Sequence, residues 1–165
     1  LKKNGWWGNA ACALSYEGLA WITGTAVMLG GEWPGVFALS LALLYSLGAH
    51  GIMTLNDFKA IEGDRQMGVD SLPVQLGAKG AARVACLFMW VPQVVVAALL
   101  FNWQLPWHAL AVLALSFMQW PLMWKFLKQP VERALYVSAF GVPMFVSGMM
   151  VSAWGLRQLN ALGVV

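Results

Sequence analysis

Four of the chain's seven carboxylates, Asp57, Glu62, Asp64 and Asp70, fall within "TLNDFKAIEGDRQMGVDSLPVQLG", residues 54–77, together with Lys59 and Arg65. Carboxylates beside cations suit a diphosphate held through Mg²⁺, because that ion takes one or two carboxylates and keeps its other positions for phosphate oxygens and water. The basic side chains can then bind the remaining phosphate charge. On residue types and spacing alone a second reading stands beside this one: a solvated loop in which acids and bases neutralise each other. If the preceding helix runs on through the segment, Asp57 and Asp64 return to nearly one face, with Ala60 between them and Glu62 turned well away. Their backbones would then stand about 10 Å apart, too far to clamp one small ion unaided.

The elements that must position these groups are apolar. Hydrophobic residues make up 60% of the 165 and charged residues only 10%, and ten are tryptophan, a balance that marks a membrane protein. Apolar stretches at about 6–30, 34–55, 82–102, 106–127 and 134–155 each approach the ~20 residues that a helix needs to cross ~30 Å of hydrocarbon. They predict one all-α transmembrane domain over 1–165, with five helices in the lipid bilayer and residues 56–78 as an aspartate-rich loop. If the helices alternate, Lys2, Lys3, Lys59, Arg65, Lys79, Arg83, Lys125, Lys128 and Arg133 share one side and Arg157 alone takes the other. The positive-inside rule makes the first side, and the acidic loop with it, cytoplasmic.

Local signals refine this outline. Pro34 fits the first turn of the second helix, and Gly77 with Gly80 fits a break before the third. Pro92, Pro121 and Pro143 fall inside the last three helices and are expected to kink them, leaving room for a cavity. Trp6, Trp7, Trp33, Trp103, Trp107, Trp124 and Trp154 lie near helix ends as interfacial anchors, which leaves Trp21, Trp90 and Trp120 for the interior. Cys12 and Cys86 lie singly in predicted helices and read as core filler. The opening "LKKNG" has neither an initiator methionine nor the order of a signal peptide, so the chain is expected to be part of a longer one.

Glu17 and His50 lie well inside the spans, away from their ends. Glu17, among small residues in "WWGNAACALSYEGLAWITGT", is costly in lipid and is expected either to face a polar cavity or to make a hydrogen bond between helices. His50 lies seven residues before Asp57, on the same helical face and about 10 Å deeper. It suits either a metal-ligand role or an interhelical hydrogen bond.

The stretch "NDFKAIEGDRQMGVDSLPVQLG", with "LKKNG", "SYEGLAW" and "YSLGAHGIMTLNDFKAIEGDR", resembles the second aspartate-rich motif and its surroundings in the UbiA superfamily of intramembrane prenyltransferases. Its wording is similar to the branch that esterifies (bacterio)chlorophyllide. The likeness is strong over the first 80 residues and mainly one of character beyond them. It implies a nine-helix bundle around a central cavity, of which this chain would hold the C-terminal five helices and the second of two motifs. The N-terminal half would be a partner that this chain needs, and the 165 residues alone would be inactive.

By that resemblance Asp57 and Asp64 would be the catalytic metal ligands for Mg²⁺, with Glu62 or a water replacing the further aspartate that many members carry where Ala60 stands here. Lys2 and Lys3 match the end of a basic diphosphate-binding segment and Arg65 follows the motif, while Lys59 joins them by position. Glu17, Tyr16 and His50 are the candidate acceptor-binding residues. The implied substrates are a prenyl diphosphate, geranylgeranyl or phytyl, and a tetrapyrrole whose propionate is esterified in the bacterial inner photosynthetic membrane. No nucleic acid is expected as a partner. The rival readings are a quinone-precursor or haem prenyltransferase of the same superfamily, and a non-catalytic pigment-binding or assembly subunit.

Overall fold

The first apolar stretch does not form one uninterrupted α-helix. In the computed structural model, which describes residues 3–161, it consists of α1 (Gly5–Ala13), a π-helical turn (Leu14–Gly18) and α2 (Leu19–Met28). Asn4 caps α1, its side-chain oxygen accepting from the Trp7 amide at 3.2 Å. Then follow α3 (Val36–Asp57), α4 (Ile61–Gln66), α5 (Leu72–Asn102), α6 (Pro106–Lys128), α7 (Pro130–Tyr136) and α8 (Val142–Ala161), with a second π turn, Val137–Gly141, between the last two. The described residues contain no strand, only one isolated bridge between Asn4 and Asp70.

Four helical stretches, Val36–Asp57, Leu72–Asn102, Pro106–Lys128 and Pro130–Ala161, are long and apolar enough to cross a membrane. The sequence reading had five; the remaining one, the α1–α2 rod, is long enough and is crossed by a π turn just as the last span is, but Asn9, Ser15, Tyr16 and Glu17 make it less apolar than the other four. The chain is an all-α integral membrane protein.

Prolines and glycines shape these rods unevenly. Pro92 and Pro121 lie inside α5 and α6, and α5 bends at Gly77, where φ is +69°. Pro143 lies inside the continuous Pro130–Ala161 stretch, directly after the π turn, whose altered hydrogen-bond register accommodates the donor that proline lacks. Pro34 precedes α3 instead of opening it, with Gly35 at the N-cap.

The packing centres on α3. Gly51 lets α5 approach closely, since a Cβ there would stand 2.6 Å from the Ala85 carbonyl oxygen. Toward the acid-loop end, Leu55, Phe58 and Leu72 form a core with Ala85, Met123 and Phe126. Toward the other end, Leu41, Tyr45 and Val96 pack with Leu100, Val112 and Phe145.

Polar side chains bind the same helices together. Gln119 Nε2 donates to Gln93 Oε1 at 3.0 Å and Gln93 Nε2 to Gln119 Oε1 at 3.3 Å, with Ser116 Oγ also donating to Gln93 Oε1 at 3.3 Å, all fully buried between α5 and α6. Tyr45 of α3 and Ser152 of α8 share a bond of 2.7 Å. Cys12, by contrast, is exposed and not core, because α1 turns that face away from α3. Trp120 is also half exposed, packing edge-on against Trp90 at 5.5 Å.

Candidate functional site

The helix that carries Asp57 stops there. Phe58, Lys59 and Ala60 form a turn, with the Ala60 amide donating to the Asp57 carbonyl at 3.1 Å, and Ala60 (φ −117°, ψ 6°) leaves the helical region before α4 begins. The straight-helix geometry for Asp57 and Asp64 is thereby corrected. Phe58 is the physical reason: it is buried and meets Phe126 of α6 edge-on at 5.2 Å, which draws the chain inward. Across the turn the Asp57 and Asp64 charges still act on each other.

Exposure separates the acids. Asp57 and Asp64 are half-buried, whereas Lys59, Glu62, Arg65 and Asp70 are exposed. Glu62 is occupied on the outer face of α4, 3.6 Å from Arg65 Nη1 and accepting from Gln66 Nε2 at 3.0 Å. That exposed pair is worth little energetically and leaves Arg65 free to exchange partners.

Asp57 is held from two sides. Asn9 Nδ2 donates to its Oδ2 at 2.9 Å, and the Leu72 backbone amide, at the start of α5, faces the same carboxylate. The start of the chain is stitched alongside: Asp70 N–H donates to the Lys3 carbonyl at 2.9 Å, and Gly5 N–H donates to the Asp70 carbonyl at 2.7 Å. Only glycine fits at position 5, because a Cβ would lie 2.6 Å from the Leu72 nitrogen. Lys3, exposed, thus stands with the acidic segment at one end of the bundle, and Lys2 lies outside the described residues.

Among the described residues no group of three or more His, Cys, Asp or Glu gathers closely enough to hold a metal ion. Two half-buried carboxylates fit an ion that brings phosphate and water ligands with it, the habit of Mg²⁺, better than one caged by protein alone.

Farther along the bundle, a cavity of about 860 Å³ opens between α2, the start of α3 and α8. Glu17, Trp21, Glu32 and Arg157 lie on its wall, and Trp21 stacks on Tyr45 with ring centres 5.5 Å apart. Tyr16 is not on that wall: it is 72% exposed on the outer side of the rod, since neighbouring helical residues point about 100° apart. Nor is His50, which is buried between Trp6 (5.8 Å) and Phe88 (4.7 Å), its Nε2 3.3 Å from the Trp6 carbonyl. The Nε2 contact joins α3 to the first rod, while Nδ1 is buried with no hydrogen-bond partner among the described residues.

Sequence reasoning missed the bond from Asn9 to Asp57. The available signal was a polar side chain within an apolar stretch, where it needs a partner.

The description "UbiA prenyltransferase family" matches residues 1–154. The chain is 49% identical to the bacteriochlorophyll synthase 33 kDa chain of Cereibacter sphaeroides over 98% of its own length and 53% of that relative's. It is 47% identical to the protein of the same name from Rhodobacter capsulatus, over 95% of the chain and 52% of the relative. Chloroplastic chlorophyll synthase of Oryza sativa subsp. japonica is 40% identical over 93% of the chain and 40% of the relative. The chain spans about half the length of the bacterial relatives it matches. No solved structure matches it. On the family match and these identities, the chain belongs to the UbiA prenyltransferase family.

Proposed function

We propose that this chain belongs to an enzyme that transfers a geranylgeranyl or phytyl group from its diphosphate to the propionate of (bacterio)chlorophyllide. The observation that carries this reading is the 49% identity to a bacteriochlorophyll synthase over 98% of the chain, with the half-buried acids and the basic start of the chain meeting at one end of the bundle.

Asp57 and Asp64 would hold Mg²⁺, with Glu62 a further candidate once released from Arg65. When bound, the ion supplies positive charge against the leaving diphosphate. Lys2, Lys3, Lys59 and Arg65 bind the remaining phosphate charge and so favour departure of the diphosphate from the allylic carbon. The packed helices exclude water, so that the acceptor carboxylate forms the new C–O bond instead of hydroxide. Glu17 lies eight residues along the rod from Asn9, about 12 Å at the helical rise, and contacts the acceptor from the cavity wall. The acidic loop faces the cytoplasm from a bacterial inner photosynthetic membrane, in accord with the bias of basic residues to its side.

Equilibrium binding of a radiolabelled prenyl diphosphate to the complete protein, with and without Mg²⁺, tests the site. Binding that requires Mg²⁺ and is lost in Asp57→Asn supports it. Pigment binding without any prenyl diphosphate binding would instead indicate a carrier.

A further inference from the structure

The bond from the first rod to α3 has a chemical sense that packing alone does not require. Thr54 Oγ1 donates to the His50 carbonyl at 2.9 Å, so it meets Asn9 as an acceptor, and the Asp57 carboxylate is an acceptor as well. Both face Asn9 Nδ2, at 3.4 and 2.9 Å, and only the amino end of the amide can serve two acceptors. Asn9 is buried, and it reaches Asp57 from 48 residues away in sequence. Thr54, His50 and Asp57 all belong to α3, so the amide is oriented by the same helix whose terminal carboxylate it holds.

From this geometry we infer that Asn9 is a positioning residue for Asp57: it fixes the rotation of the carboxylate and leaves lone pairs on it for an outside ligand. A carboxylate offers about four acceptor sites, and the donors described, Asn9 and the Leu72 amide, do not exhaust them. Partners that orient a metal ligand in this way typically change metal affinity by about 10–100-fold when removed. The inference rests on the proposed metal role of Asp57. Asn9→Ala removes the donor.

The test uses Mn²⁺ as an oxygen-seeking stand-in for Mg²⁺. Its affinity for the complete detergent-solubilised protein is measured by electron paramagnetic resonance in the presence of inorganic diphosphate, alongside thermal unfolding without metal. Asn9→Ala weakens Mn²⁺ about tenfold, and Asn9→Ala adds nothing in an Asp57→Asn background. Asn9→Ser, which keeps a short donor, covers the case in which the alanine variant fails to fold and is expected to weaken Mn²⁺ by less. Wild-type Mn²⁺ affinity in the Asn9 variants, with a lowered melting temperature alone, would overturn the positioning role while leaving Asp57 as a ligand if Asp57→Asn is weakened. Wild-type affinity in Asp57→Asn would remove the metal role itself, and this inference with it.

Discussion

Asp57 and Asp64 differ from Glu62 in surroundings more than in chemistry. The aspartates are half-buried and Glu62 is exposed and paired with Arg65, so amide substitutions should separate them. Asp57→Asn and Asp64→Asn keep shape but lose the charge that would hold Mg²⁺; each should lower esterification on the order of 10²-fold in a protein that still inserts. Glu62→Gln should lower it much less. Turnover by both aspartate variants at the wild-type level, unresponsive to Mg²⁺, would remove them as ligands. Glu17, on the cavity wall, makes a separate prediction. Glu17→Gln should raise the apparent KM for the tetrapyrrole more than that for the prenyl diphosphate, and an equal effect on both would contradict its place at the acceptor. The sequence singled out Glu17 through the expense of a charge in lipid. The same logic applied to Asn9 predicts that it needs a polar partner, but polarity within an apolar stretch does not by itself say that the partner is Asp57.

At the scale of elements, the apolar stretches were legible because spanning length and hydropathy leave few alternatives. The break after Asp57 was not. "DFKAIEGDR" contains no proline and offers a continuous helical reading, and what ends the helix is tertiary: Phe58 turns inward onto Phe126. The π turns were equally hidden, since they arise from hydrogen-bond register along stretches that read locally as ordinary helix. The Gln93–Gln119 pair joins α5 to α6 reciprocally, and this carries a prediction about stability. Gln119→Leu leaves Gln93 with only Ser116 across the helix pair, and should destabilise by about 0.6 kcal/mol and at most about 1.7 kcal/mol, the average and maximum for such bonds in membranes. Replacing both glutamines by leucine should cost less than the two single changes together, because no polar group is then left unpaired. Denaturation of the variants in detergent checks this, and strictly additive losses would contradict the pairing.

The whole chain is one half of a site, on the proposed reading, with the spans of α3, α5, α6 and α8 supporting a single acidic loop. Expressed by itself it should insert but not esterify, because the diphosphate would lack the compensating charge that the resemblance assigns to a first aspartate-rich motif. Co-expression with an N-terminal half of the family fold should restore both a discrete complex on size-exclusion chromatography and product formation. Robust activity of the purified 165 residues would contradict this division of the site.

The central claim is that the acidic segment serves transfer of a prenyl group to a tetrapyrrole carboxylate. Its most direct test is the product formed when the complete protein receives radiolabelled geranylgeranyl diphosphate, Mg²⁺ and, in separate reactions, chlorophyllide, a quinone precursor or haem. The account predicts label in a chlorophyllide ester alone, abolished by chelation of Mg²⁺ and by Asp57→Asn. Label in the quinone or haem product, or an ester yield that survives both treatments, would contradict it.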